Sequence, residues 1–243
     1  MHCELQERRR LQSRIIHITQ VKPLLMKVTE AMHARKTIRN FLDKPVDDKL
    51  IKELLVTAAR APSGGNLQPW RVYILNGEVT MRFVKLIESK SASETPEYTV
   101  YPPNLKDPYR TSRFNLAEDM YALLDIPRED KPARLAHVAR NFRFFDAPAA
   151  FFCFVDKIMG PPQWSDLGMF LQSFMLLAQE AGLDTCPQEA WANWPRTVTD
   201  FVGAPDELML FTGMAIGYAN PDAPVNRLVS EREPLETWAQ FVD

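Results

Sequence analysis

A sheet covered by helices on both faces, of the α/β or α+β class, is what this sequence predicts. Three observations carry that reading. Apolar runs of strand length, at 71–75, 149–155 and 207–218, alternate along the chain with segments whose apolar residues recur at helical spacing. The 243 residues suffice for one large domain, and a hydrophobic content of 46% with 10% aromatics fills a sizeable core. No apolar run approaches the ~20 residues of a membrane helix, and no repeat or low-complexity tract competes with a globular fold. Periodicity alone does not choose between α/β and α+β.

Residues 1–26 read as an N-terminal arm ahead of a single domain over 27–243. In the arm, Arg8-Arg9-Arg10 with Arg14 reads as a solvated helix face, or with Leu5, Leu11, Ile15, Ile16 and Ile18 as a surface for a partner subunit. The net charge of -2 gives no general attraction to nucleic acid, and the arginines are not followed by the apolar core of a signal peptide. Asp47 is placed to cap a helix over 48–60, with Leu50, Ile51, Leu54 and Leu55 on one face. Residues 71–75 follow as a buried strand and 78–89 as an amphipathic helix. The stretch 91–114 is proline-rich at its centre (Pro96, Pro102, Pro103, Pro108) and reads as an insertion or lid. Helices are expected over 113–124 and 131–140, then a strand over 149–155. Ser165 or Asp166 is placed to cap a long helix ending near Ala181 before Gly182. That helix is apolar nearly all round, which suggests burial on several sides, as at a subunit interface. A strand over 207–218 closes the order.

Two segments carry chemistry. Ala61-Pro62-Ser63-Gly64-Gly65-Asn66-Leu67-Gln68-Pro69-Trp70-Arg71 is a loop in which prolines restrict the ends, glycines allow close backbone approach, and Ser63, Asn66 and Gln68 supply donors and acceptors for a planar polar heterocycle. Upstream, Ala34-Arg35-Lys36-Thr37-Ile38-Arg39-Asn40-Phe41 groups three cations and a hydroxyl as a phosphate would require, since the guanidinium fork matches phosphate geometry.

In this order and spacing the two segments resemble the nitroreductase family, whose chains open on an Arg-basic-Ser/Thr-x-basic-x-Phe segment followed by a Pro-Ser-x-x-Asn-x-Gln-Pro-Trp loop. Gly182-Leu183-Asp184-Thr185-Cys186-Pro187-Gln188-Glu189-Ala190-Trp191 extends the resemblance, as does Ala215-Ile216-Gly217-Tyr218 followed by Ser230-Glu231-Arg232-Glu233-Pro234-Leu235-Glu236. The similarity spans roughly residue 27 to the C-terminus. It implies an α+β fold, a mixed and mainly antiparallel sheet wrapped by helices, in an obligate homodimer with FMN at the interface. It implies Arg35, Thr37 and Arg232 at the phosphate, with Lys36 near the phosphate or ribityl chain and Arg39 beside N1 and O2, where it stabilises the reduced flavin. Arg227 is the alternative to Arg232. Pro62, Ser63, Gly64, Asn66 and Gln68 would reach the flavin of the other subunit. Pro187, Gln188, Glu189 and Ala190 would lie against the ring, with backbone N-H groups toward N5; the family usually has Gly where Ala190 stands.

By the same resemblance, NADPH or NADH reduces the flavin and a nitroaromatic or a quinone reoxidises it in a ping-pong cycle, with no side chain acting as catalytic acid or nucleophile. Tyr98, Tyr101, Tyr109 and Phe114 are expected to wall a flat substrate, and Arg113 or Arg110 to hold an anionic group. A related reading is reductive dehalogenation of a halophenol under a lid bearing Glu97, Tyr101 and Lys106; another is a flavin-binding protein without turnover. Gly-x-Ser-x-Gly, Walker and Gly-x-Gly-x-x-Gly motifs are absent. Cys3, Cys153 and Cys186 form no disulfide framework, and with His2, His17, His33 and His137 they show no metal spacing. A reducing, cytoplasmic setting is therefore expected, with no metal.

Overall fold

The computed structural model describes residues 26–242; the N-terminal arm, arginines included, lies outside them. Its centre is a four-stranded antiparallel sheet of β1 (Arg71–Asn76), β2 (Ala149–Asp156), β3 (Asp184–Gln188) and β4 (Leu208–Gly217), in the order β1-β2-β4-β3. Adjacent strands run antiparallel throughout, which makes the fold α+β. β2 is buried from Ala149 to Val155 because helices cover both faces, so its sequence shows no alternation although its contacts alternate strictly.

Ala149, Phe151, Cys153 and Val155 of β2 face one layer, built by helices α2 (Asp48–Ala58) and α6 (Pro161–Glu180); Ile51, Leu54, Leu167, Phe170 and Phe174 fill it. Ala150, Phe152 and Phe154 face the other, where α3 (Glu78–Glu88) and α7 (Pro195–Val202) contribute Phe83 and Val198 and the turn Glu189–Asn193 contributes Trp191. Phe83 sets its ring edge-to-face on Phe152 at 5.1 Å and on Phe201 at 4.8 Å, the favoured quadrupole geometry. A short α1 (Val28–Ala34), α4 (Tyr109–Leu123), α5 (Lys131–Ala139) and α8 (Leu235–Trp238) complete the described residues.

Asp47 caps α2, its carboxylate accepting from Lys49 N at 2.9 Å. Three expectations need correction. The long helix starts not at a Ser165 or Asp166 cap but at Pro161, since two prolines occupy a first turn whose N-H groups have no helical partner. Asp166 is instead buried at 4% exposure inside the helix. α4 begins at Tyr109 rather than Arg113: the Asp107 carboxylate accepts from Arg110 at 2.5 Å and Thr111 at 2.7 Å, which stabilises an earlier first turn. The expected lid therefore ends in a helix. β3 and α7 have no counterpart in the sequence reading. Pro187 argues against a strand, yet β3 is an edge, where a missing donor is tolerated.

Candidate active site

Arg35 leaves α1 by turning to extended backbone (φ -58°, ψ 124°). The segment that follows is pinned to the exposed edge of β3 through a Thr37–Thr185 bridge and a 3.0 Å bond from Ile38 N to Thr185 O. Side chains alternate along extended backbone; Ile38 goes into the core while Arg35, Thr37 and Arg39 line a cavity of about 270 Å³ with Ser230 and Arg232. Arg232 is held there from its own segment, Nη1 donating to Ser230 Oγ at 2.7 Å and to the carbonyls of Ser230 and Glu231. Arg227 lies outside this cavity. It lines a neighbouring one with Asp184 and Lys36, which borders both.

The electrostatics of the cavity are one-sided. Among the described residues none of Arg35, Lys36, Arg39 and Arg232 makes a salt bridge. Burial and then the nearby Arg232 charge pull the Arg35 pKa down. Guanidiniums gathered without a carboxylate repel each other, and an anion relieves that cost. A phosphate has the charge and the acceptor oxygens for these donors.

The Pro62–Gln68 loop does not line this cavity. It is preformed: Gly64 N donates to both oxygens of the buried Asp166 at 3.3 and 3.2 Å, Gln68 N donates to Ser63 Oγ at 3.0 Å, and Gln68 Nε2 to Asn66 O at 3.3 Å. Gly65, Asn66 and Gln68 take positive φ of 58°, 58° and 50°. Such left-handed residues persist because the surroundings over-determine them. Here Pro69 is buried and Trp70 stacks on Phe170 at 4.9 Å. Pro62, Gly64, Asn66 and Gln68 are left exposed, and Ser63 half-exposed, on one chain.

At the end of β3 and just beyond it, Pro187 and Ala190 are half-buried and Glu189 is exposed. The Gln188 side chain points inward, the residue being 2% exposed, donating to Asn141 O at 2.8 Å and accepting from Trp191 Nε1 at 3.3 Å. Only its backbone remains for a ligand. Trp191, which seats this turn, needs Gly213 opposite it, since a Cβ there would lie 2.3 Å from Trp191 Cδ1.

The aromatic wall is likewise not assembled. Tyr98 is an anchor: its hydroxyl donates to the carbonyl of Phe211, the bulge residue of β4, and its ring packs on Trp164 and Phe211. Burial, then the Glu189 charge, pushes its pKa up to about 12. Tyr101 carries the Arg113 guanidinium at 4.3 Å, Phe114 carries Arg128 at 5.2 Å, and Tyr109 is 68% exposed at the start of α4. The candidate dehalogenase set is not gathered either, because Glu97 pairs with Lys157 at 3.2 Å.

Two buried groups flank Arg39. Burial, Arg140 and Arg39, in that order, hold His137 down at about 4, and its Nε2 has no partner among the described residues. Burial pushes the Cys186 thiol up to about 12 against the nearby Arg39 charge, and burial does the same at Cys153, so neither is a nucleophile. Asp166 and Gly213 were missed in the sequence because a lone acid in an apolar helix and a glycine in a strand have commoner explanations. No cluster of His, Cys, Asp or Glu that could hold a metal occurs among the described residues.

Residues 32–218 match the model of the nitroreductase family. The chain is 36% identical over 220 residues to the chloronitrobenzene nitroreductase of Comamonas testosteroni, covering 88% of this chain and 96% of that protein. It is 34% identical over 219 residues to the nitrobenzene nitroreductase of Ectopseudomonas oleovorans, with the same shares covered. Among solved structures, the FMN and NADPH-dependent nitroreductase NfnB from sphigopyxis sp. strain HMH superposes with a TM-score of 0.85 at 42% identity, covering 89% of this chain and 99% of that one. With its antiparallel sheet, its ordered motifs and this extent of similarity, the chain belongs to the nitroreductase family.

Proposed function

We propose that this protein is an FMN-dependent oxidoreductase that uses NADPH or NADH to reduce aromatic nitro compounds. The observation that carries the reading is the cavity in which Arg35, Arg39 and Arg232 converge without a carboxylate partner among the described residues. Its donor set fits a phosphate monoester: Arg35, Thr37 and Arg232 bind it, and Lys36 sits at the edge toward the ribityl chain. Arg39 is the cation for N1 and O2, where preorganised positive charge favours the reduced flavin. Backbone groups from Pro187 to Ala190 lie along the ring. Pro62, Ser63, Gly64, Asn66 and Gln68 serve the flavin of a partner subunit, which accounts for a loop so firmly built and so exposed.

Bound FMN supplies two-electron transfer from the nicotinamide to a second substrate at the same face, a ping-pong cycle. A nitro group takes two electrons and two protons to give nitroso and water, and two more of each to give the hydroxylamine; the protons come from water. Quinones are alternative acceptors. Arg113, stacked on Tyr101, is the lid cation for an anionic substituent, and the exposed Tyr101, Tyr109 and Phe114 are the lid aromatics; Tyr98 anchors the lid and Arg110 is paired with Asp107. The homodimer has a surface to form on: opposite its buried stripe, α6 leaves Gly168 and Met169 exposed and Leu176 half-buried. Buried free thiols at Cys153 and Cys186 suit a cytoplasmic setting, and no described helix is long and apolar enough to cross a membrane.

The phosphate claim is tested by affinity for FMN against riboflavin. Binding of FMN should exceed that of riboflavin at least tenfold, one charge-assisted contact being worth ~1.5–3 kcal/mol. Arg35→Ala and Arg232→Ala should erase the difference while leaving riboflavin affinity nearly unchanged. Equal affinity in the parent protein refutes the phosphate assignment.

A further inference from the structure

The segment that carries Arg39 lies between two isolated bridges, Thr37 to Thr185 and Phe41 to Ala219. Ile38, Phe41 and Leu42 each donate to a backbone carbonyl across the gap. Arg39 does not: its N-H donates to the side-chain oxygen of Asn226 at 2.9 Å. The same amide donates from Nδ2 to Asn40 O at 2.8 Å and to Asn220 O at 2.9 Å. One side chain thus reproduces a peptide group, accepting from one residue and donating to the next, and uses its acceptor and both donors. Asn220 reinforces the joint, Nδ2 donating to Asn40 Oδ1 at 3.0 Å and its backbone N to Asn40 O at 3.0 Å.

Asn226 belongs to a 3-10 turn, Pro224–Arg227, seated by the buried Val225. Immediately beyond it, Leu228, Val229, Ser230 and Arg232 line the cationic cavity. The amide therefore joins the two stretches of chain, far apart in sequence, that bring Arg39 and Arg232 to one site. Both are cations without a salt-bridge partner among the described residues, so their mutual repulsion works to part them, and fixed backbone is what resists it. Chemistry and reach are both specific. Aspartate keeps the acceptor but sets a carboxylate against two carbonyls, alanine leaves Arg39 N without its partner, and glutamine places the amide one methylene out of register.

We propose that Asn226 is a positioning residue of the flavin site, fixing Arg39 relative to the 228–232 segment so that the guanidiniums stand at the spacing a bound FMN requires. The inference rests on the assignment of this cavity to FMN. Asn226 touches no ligand in this account; it acts through the backbone of Arg39.

The test uses full-length Asn226→Gln and Asn226→Ser, with Arg39→Ala as reference. Apoprotein melting, FMN dissociation constant from flavin fluorescence, and the midpoint potential of bound flavin at saturating FMN are measured for each. Arg39→Ala should make the potential more negative. Both Asn226 variants should shift it the same way and weaken FMN binding about tenfold, with apoprotein melting close to the parent. A parental potential and affinity in both Asn226 variants, while Arg39→Ala alters them, overturns the proposal and leaves the cavity assignment standing. Failure of both Asn226 variants to fold as apoproteins also overturns it, since the residue would then serve the fold alone. An unchanged potential in Arg39→Ala overturns the cavity assignment itself.

Discussion

Arg39 stands near a buried thiol and a neutral imidazole, its backbone held by an amide clamp, with no salt bridge among the described residues. Replacing it by alanine should preserve the fold and slow flavin reduction by NADPH; stopped-flow absorbance at an unchanged parental rate refutes the role. His137 predicts a pH dependence of stability. Its pKa of about 4 in the fold lies below the ordinary 6.5, so between these values the unfolded chain binds the extra proton. Stability is therefore fully present above about pH 6.5 and is lost as the pH falls toward 4, by at most about 3 kcal/mol. Urea unfolding of the parent at pH 7 and pH 4.5, against His137→Phe, checks this: the variant should show a flatter profile, and equal slopes would exclude His137 as the cause. At Gly213 a methyl group would meet Trp191 at 2.3 Å. Gly213→Ala should cost about 1–3 kcal/mol by urea unfolding, the range for overpacking a closed core.

Among the elements, α6 does more than its apolar sequence suggests. Asp166 crosses from helix to loop and carries Gly64 N, so Asp166→Ala should destabilise the loop by about 1–3 kcal/mol, the range for an unpaired buried group. FMN binding should weaken with it; unchanged binding would separate the loop from the site. The N-terminus of α7 has its cap in trans, the Glu94 carboxylate accepting from Arg196 N at 2.8 Å and Thr197 N at 3.1 Å. A cap supplied from a hundred residues away leaves no local signal. This marks what the sequence discloses. β2 and β4 are legible because continuous burial writes an apolar run, and α2 because Asp47 caps it locally. The cationic and loop motifs are legible because their donors are consecutive in the chain. The edge strand β3, the inward turn of Gln188 and the clamp at Asn226 are not, since each depends on a neighbour distant in sequence.

In the whole molecule, the exposed loop does not line the cationic cavity of its own chain, and the proposed function calls for a second copy to bring the two together. Met169→Glu on the open face of α6 should weaken the dimer, because an uncompensated charge would be buried there. Sedimentation should show monomer at concentrations where the parent is dimeric, with flavin lost in proportion. A monomeric parent that holds FMN fully would remove the shared site.

On the proposed function, this chain holds an FMN that a nicotinamide reduces and a nitroaromatic reoxidises. The most direct test of that function is the visible spectrum of the purified protein without oxygen, after NADPH and then after nitrobenzene. The flavin band should bleach with NADPH and return stoichiometrically with nitrobenzene. No flavin band after FMN is supplied, or a band that NADPH and NADH leave unbleached, would contradict it.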